Sequence, residues 1–519
     1  MVSLISALDE NAEREPDRLA CVVGGDSLSY GQLREATCRF ATALLDLGLQ
    51  AGDRIGLYLP NCVDYITCYL GVMRAGMIAN PINAVLTPHE VQYLLSDSGA
   101  AALVSTKKLA DGVASVLPAT PVRTVVCADG AGAGVAGDWH ALADLLAVPP
   151  RLLPYPDDRL TAILPYSSGT TGHPKGIMHS HHSLGMQALL SANHLQMRRE
   201  DVLVQALPLV HLYPGNIIMG GLFIVGGTMV VQPVFDPPAF AALLAERQAT
   251  ACAGVPTTYA MLCQLDETFV ASLDLSAMQV AYSAGAPLPS RLRSEFRRMF
   301  GCRVLDCYGI TEAAGDLCAN LRYGEPPELS CGVPYPLTEV RIVDENDADV
   351  PVGEVGEVIA RGPQIMSGYW NLPEATAETL RGGWLHTGDL ARRDADGFYY
   401  IVDRAKDVIL SGGYNVYPAE VEDVLQSHPD VAMCACFGVP DEIKGEKPWA
   451  AVVPRGGASA HPDPATLVDA LDKHCREYLA AYKAPRRFLI VDELPRSSVG
   501  KILRRELRAR YGQPRNEAR

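Results

Sequence analysis

About a third of the way along the chain, Ser167 to Gly176 (SSGTTGHPKG) sets four hydroxyl side chains and three glycines around a single lysine, Lys175. Glycines let backbone amides close on an anion and hydroxyls add donors, so this is the composition of a phosphate-holding loop. It is not the Walker pattern, because Lys175 is followed by Gly176 and no Ser or Thr is placed to hold magnesium. A flexible surface loop has a similar composition, and the donors clustered around one lysine are what separate the two readings. Three other fragments carry groups of the same kind. CYGITEA (Cys307 to Ala313) places Thr311 and Glu312 after a tight aromatic turn, a hydroxyl for phosphate beside a carboxylate for a hard cation. Asp389 is expected in a turn, with Arg404 fifteen residues further on, and LPRSSVGKILRREL sets Lys501 behind a glycine. Each has an ordinary explanation taken alone: a turn aspartate, half of a surface ion pair, a solvated cation at a helix start.

Groups so far apart in sequence need a fold that gathers them. RIGLYLP (54–60), GMIANPI (76–82) and AALVS (101–105) read as short apolar strands, separated by helical patterns such as YGQLREATCRFATALLDLG and PHEVQYLLSDSG. The second of these has Pro at its start and Gly just past its end, the usual punctuation of a helix. Strand and helix in this rhythm predict a parallel sheet covered by helices, with ligands gathering where strands end. ATACAGVPTTYAMLCQL and QVAYSAGAPLPSRLRSEFRRMF repeat the theme. After about Gly332, TEVRIVDENDADVPVGEVGEVIARG reads as hairpins, and a third region begins near Asp403 with a strand, a glycine pair, then helix and strand. The expected fold class is α/β: a large N-terminal domain of helix-covered sheets with a β-rich subdomain over residues 1–402, and a small α+β domain over 403–519.

Composition narrows the partners. A formal charge of −16 over 519 residues excludes nucleic acid or an anionic membrane as the main partner, so any anionic ligand must be gripped by local loops and helix ends. Fourteen cysteines are scattered without disulfide or zinc spacing and read as reduced, mostly buried thiols. The acidic N-terminus does not read as a secretory signal, and a cytoplasmic location is expected. Residues 202–235 contain no Asp, Glu, Lys or Arg. They are broken by Pro208, Pro214 and glycine pairs, and so read as a buried helix feeding a buried strand rather than a membrane span.

In this order the motifs resemble the adenylate-forming (AMP-binding) superfamily, acyl-CoA synthetase or carboxylate–CoA ligase type, from about residue 10 to residue 508. The resemblance implies an enzyme, an acid–thiol ligase that uses ATP, Mg²⁺ and CoA. Its partners would be a small-molecule carboxylic acid and these cofactors, with a homodimer left open. It implies that Ser167, Ser168, Gly169, Thr170, Thr171, Gly172 and Lys175 wrap the β- and γ-phosphates, that Thr311 touches phosphate and that Glu312 holds the magnesium ion. Asp389 would accept from the ribose hydroxyls with Arg404 beside it. Ala284, Gly285, Ala286 and Pro287 would line the adenine and the start of the acyl pocket, with Tyr308 against the base. Lys501 would reach the substrate carboxylate and the α-phosphate. A mobile C-terminal domain would turn about Lys406 to bring Gly412 and Gly413 to the pantetheine arm of CoA. His211 would sit at the gate to the acyl site, with a satisfied core histidine as the plainer alternative, and helix-start packing, with His181 at a family histidine position, explains the cluster of His179, His181 and His182 better than a metal does.

Three departures from the family pattern bear on the acid. Cys307 and Ala284 stand where wide-tunnel relatives carry glycine, and Pro214 follows the gate. Added side-chain volume in a packed wall shortens the expected acyl chain. An aromatic or short-to-medium-chain acid is expected, with Tyr213, Ala284 and Cys307 as pocket neighbours. A long-chain fatty acid is the alternative and amino-acid adenylation a weaker one.

Overall fold

The computed structural model describes residues 2–130, 138–167, 174–411, 414–441, 444–457, 464–496 and 502–512. The anticipated strands form at Arg54–Tyr58, Ile78–Ile82 and Ala102–Ser105, and pair in parallel with one another. The helix Pro88–Ser98 shows why the local signals are reliable. Its capping residue Thr87 accepts from the Glu90 amide, the Glu90 side chain accepts from the Thr87 amide at 2.7 Å, and Gly99 closes the far end at φ +64°. Those caps satisfy donors and acceptors that a helix leaves open at its ends.

Among the described residues four sheets form, two of nine strands, one of four and one of five. One large sheet carries a parallel core of Cys21-, Thr228-, Val202-, Ala251-, Val280- and Arg303-containing strands, in neighbouring order. Its last parallel strand, Arg303–Ile310, is followed by a turn at Thr311–Ala313 and an antiparallel strand, Gly315–Ala319. Gly309 makes this return possible, because a Cβ there would lie 1.8 Å from the carbonyl oxygen of Gly315. In the second large sheet the strand Lys175–Ser180 lies next to the edge strand Gly368–Tyr369, and it runs on into the helix His181–His194. The main core lies where helices such as Tyr30–Asp46, Val63–Arg74 and His181–His194 cover these sheets.

The hairpin region forms the four-stranded sheet, and the C-terminal region forms the five-stranded one with helices Pro418–Ser427 and Pro464–Tyr478. Asp403 itself lies within the strand Tyr399–Arg404 of the four-stranded sheet, and the C-terminal sheet starts at Ile409–Ser411. The architecture is the α/β arrangement of a large N-terminal domain and a small C-terminal one. All the cysteines are free thiols, and all but Cys62 are buried. Among the described residues no helix is long and apolar enough to cross a membrane. The uncharged run 202–235 holds a strand that was not expected, Val202–Gln205, before a π-helical segment Tyr213–Ile218, the helix Met219–Val225 and the strand Thr228–Val231.

Candidate active site

Two expectations about local structure need correction. Cys307 to Ile310 is not a turn but the end of a strand, and the turn begins only at Thr311. Asp389 lies within the strand Leu385–Arg393 and pairs in register with Arg404 on Tyr399–Arg404. Gly388, at φ +69°, supplies the turn-like sequence while the strand runs on past it.

This pairing builds one end of the site. Tyr308 and Asp389 are both buried, and the phenol donates to Asp389 Oδ2 at 2.9 Å. Arg404 Nε lies 3.1 Å from Oδ1. Burial pushes the Tyr308 hydroxyl well above its ordinary range, which keeps it protonated as a donor. Both carboxylate oxygens are thereby held on the four-stranded sheet beside its edge strand Tyr399–Arg404, against Tyr308 near the end of Arg303–Ile310.

The other end lies just beyond that strand. Lys175 Nζ sits 4.9 Å from the ring centroid of Tyr369, and the Tyr369 hydroxyl donates to Glu312 Oε1 at 2.9 Å. Tyr369 is positioned by its antiparallel pairing with Ile177, two residues after Lys175, and the Met366 amide donates to the Glu312 carbonyl at 2.8 Å. A cation, an aromatic ring and a carboxylate thus converge where the glycine-rich loop ends. His179 fixes the same corner from behind. Its Nε2 lies 2.7 Å from the Thr311 carbonyl, which can only accept, so Nε2 carries the proton and Nδ1 accepts from Ser183 Oγ at 3.4 Å. Burial pushes this imidazole down to about 4, so it is neutral at pH 7. His181 begins the following helix, also buried and pushed down to about 4, while exposed His182 faces Asp158.

Ser283 ends the strand Val280–Ser283, followed by buried Ala284, Gly285 at φ +86°, and exposed Ala286 and Pro287. Ala284, Cys307 and Tyr213 share one apolar cluster. His211 Nε2 approaches Asn83 Nδ2 at 3.4 Å, and burial pushes its ring down to about 4. Lys406 lies in the turn Ala405–Asp407, where burial and then Arg404 lower its pKa. Ser167 pairs with Lys175 across a short antiparallel ladder. Ser168, Gly169, Thr170, Thr171, Gly172, Gly412, Gly413 and Lys501 lie outside the described residues.

Sequence reasoning missed Tyr369 and the role of His179. Tyr369 stands 57 residues from Glu312 in an SGYWN run with no chemical signature of its own. His179 was visible only as one of three histidines after the loop.

The AMP-binding enzyme model matches residues 8–370, and the AMP-binding enzyme C-terminal domain matches 420–501. The chain therefore belongs to the AMP-binding enzyme family. A long-chain-fatty-acid–CoA ligase from Yersinia pestis is 36% identical, over 98% of this chain and 94% of that protein. A feruloyl-CoA synthase from an Amycolatopsis species is also 36% identical, over 96% and 97% of the two chains. The crystal structure of an anthranilate CoA ligase with bound anthranoyl-AMP superposes with a TM-score of 0.91 at 29% identity, covering 98% of this chain and 97% of that one. Within the family the chain is of the acyl-CoA synthetase type, an AMP-forming acid–thiol ligase that works with ATP and CoA.

Proposed function

We propose that this enzyme activates an aromatic or short-to-medium-chain carboxylic acid in two steps. A substrate carboxylate oxygen bonds to the α-phosphorus of ATP as the bond to the β-phosphate oxygen breaks and pyrophosphate leaves. The thiol sulfur of CoA then bonds to the acyl carbon, loses its proton, and AMP leaves. The observation that carries the reading is the spacing of two carboxylates around one strand end, Asp389 held by Tyr308 and Arg404, and Glu312 held by Tyr369 beside Lys175.

On this reading Asp389 accepts from the ribose hydroxyls, while Lys175 and Thr311 neutralise the departing phosphates. The Glu312 carboxylate fits a hard, oxygen-ligated cation, and Mg²⁺ held there would offset charge on the phosphate oxygens. Lys501 delivers its charge to the substrate carboxylate and α-phosphate, and turning about Lys406 brings Gly412 and Gly413 forward for the second step. Buried Cys307 and Ala284 support the narrower acyl space, since each adds volume to one closely packed wall. The feruloyl and anthranilate relatives act on aromatic acids, whereas the Yersinia relative acts on long chains. The many buried free thiols are in keeping with a cytoplasmic setting.

The test is pyrophosphate release from ATP and Mg²⁺ over benzoates, cinnamates, C4 to C16 fatty acids and amino acids, with and without CoA. Turnover on aryl or shorter acids, sustained only with CoA, is expected. Preference for C16 would overturn the narrowed pocket, and ATP binding with no pyrophosphate release on any acid would overturn the ligase reading.

A further inference from the structure

We infer that the acid this enzyme activates carries a hydroxyl or amino hydrogen-bond donor at the end remote from its carboxylate, and that Asp316 accepts from it. The inference rests on the ligase reading above and names the substrate class more closely.

Asp316 lies on the strand Gly315–Ala319, four residues after Glu312, and is 2% exposed. Its neighbours Cys307 and Tyr335 belong to one apolar cluster, against which Tyr213 packs. The Tyr335 hydroxyl donates to Asp316 Oδ2 at 3.3 Å, and the Cys307 thiol is its other side-chain hydrogen-bond partner. No lysine, arginine or histidine is among the groups acting on its charge. Burial alone pushes the carboxyl up to about 7. A buried carboxyl without a cation is costly, and an apolar residue of similar size would pack here at less expense.

Asp316 is not isolated. The Tyr213 hydroxyl is buried without a hydrogen-bond partner, and its titration is raised by burial together with Cys307 and Asp316. On the other side, Ser191 lies beside Tyr335; its hydroxyl donates to the Gln187 carbonyl at 2.7 Å, and Gln187 Nε2 donates to Ser191 Oγ at 3.3 Å. Gln187 is fully buried, and its Oε1 has no partner. A string of polar side chains with open hydrogen-bonding capacity therefore runs through an otherwise apolar cluster. Its near end, Cys307, immediately precedes Tyr308, which holds Asp389.

An alkyl chain placed here would leave the Tyr213 hydroxyl without a partner and bring Asp316 no further donor. A second carboxylate would be repelled by Asp316 without any cation to hold it. A hydroxyl or amino N–H instead gives Asp316 a donor and offers Tyr213 a partner. Sites built to bond a substrate donor reject the analogue that lacks it strongly, because their own buried groups are then left unpaired.

The experiment compares kcat/KM for pyrophosphate release on matched acids with the full-length enzyme. The pairs are benzoate with hydroxy- and aminobenzoates, cinnamate with 4-hydroxycinnamate, and hexanoate with 6-hydroxyhexanoate. The wild type is expected to favour a donor-bearing member over its partner by at least about 30-fold. Asp316→Leu should erase that preference and raise turnover of the unsubstituted acid. Asp316→Asn, close to isosteric, guards against misfolding of the leucine variant and should weaken the preference at least about tenfold. Circular dichroism and thermal melting establish that each variant is folded. Equal wild-type use of both members of every pair would overturn the inference while leaving the ligase intact. So would a folded Asp316→Asn enzyme with unchanged preference. Failure of every acid would instead remove the ligase reading itself. Hydroxyl-only or amino-only preference identifies which donor is held, and either supports the inference.

Discussion

Lowering the pH from 7 to 5 should cost this fold about 2 kcal/mol through His179 alone. The ring is fully buried on the strand Lys175–Ser180, with its proton committed to the Thr311 carbonyl. Burial lowers its pKa from an ordinary 6.5 to about 4. A lowered pKa in the folded state means that the stabilisation is fully present above 6.5 and is lost as pH falls through 4. The whole span corresponds to about 3 kcal/mol, and integrating to pH 5 gives about 2 kcal/mol. The assay is the urea midpoint of wild type and His179→Gln at pH 7 and pH 5, followed by tryptophan fluorescence. The gap between the two pH values should shrink by about 2 kcal/mol in the variant. An identical fall in both proteins would refute the assignment of a buried neutral ring. Because this bond holds the carbonyl beside Glu312, the variant should also release pyrophosphate more slowly at pH 7, where the wild-type ring is uncharged. His181, pushed down to about 4 by the same burial, should add a separate and comparable loss.

Asp389→Asn should lower kcat/KM for ATP by about two decades with little change in thermal midpoint; unaltered ATP kinetics would remove it from the nucleotide site. Glu312→Gln should raise the Mg²⁺ concentration for half-maximal pyrophosphate release by more than about tenfold; the same Mg²⁺ dependence would count against a metal role. Asp316 has a folded pKa of about 7 against 3.8, so its stabilisation is present below 3.8 and is lost as pH rises through 7. Asp316→Asn should therefore melt higher than wild type at pH 8, by up to about 4 kcal/mol, and lose that advantage at pH 4; lower stability at pH 8 would contradict an uncompensated carboxyl. Asp403→Asn should change the ratio of the two half-reaction rates by about tenfold, measured as pyrophosphate release and as thioester formation from supplied acyl-AMP; an unchanged ratio would exclude it from the turning step.

Much of the fold was legible because its signals are local. Thr87, Pro88, Glu90 and Gly99 mark both ends of one helix within thirteen residues: Thr87 and Glu90 satisfy each other's amides, Gly99 closes the last carbonyls, and Pro88 has no amide to leave open. The expectation of a phosphate loop rests on composition alone, a dense run of Gly, Ser and Thr before Lys175, and residues 168–173 of that run lie outside the described residues. What escaped depends on pairing across long distances. Asp389 reads as a turn residue because the run HTGD and its Gly388 invite it, yet the strand is set by its partners on both sides, Glu357–Ile359 and Asp403–Arg404. Tyr369 reaches Glu312 only because two distant segments meet beside Lys175–Ser180. Asp316 carried no signal, since an aspartate after a glycine reads as a turn, and only its burial among Cys307, Tyr335 and Tyr213 distinguishes it.

The strand Tyr399–Arg404 also explains how the nucleotide end of the site can be coupled to the C-terminal sheet. Successive strand residues point to opposite faces. Arg404 turns toward Asp389, whereas its neighbour Asp403 turns toward the C-terminal region and accepts from the Ala419 amide at 3.1 Å, with Arg504 at 3.5 Å. Arg504 also binds Glu422 at 2.7 Å and Asp407 at 3.6 Å. Lys406 lies between the two groups of contacts. Turning about it, as proposed, breaks the bonds from Asp403 to Ala419 and Arg504, together with the 2.9 Å bond from Arg291 to the His428 carbonyl. The bonds of Arg504 to Glu422 and Asp407 travel with the moving part. The interactions that hold the C-terminal sheet together are thus separate from those that hold it in this orientation. Asp403, in the second set, adjoins Arg404, which grips Asp389, so on the proposed roles release of one face of the strand acts on a residue next to the ribose-holding pair.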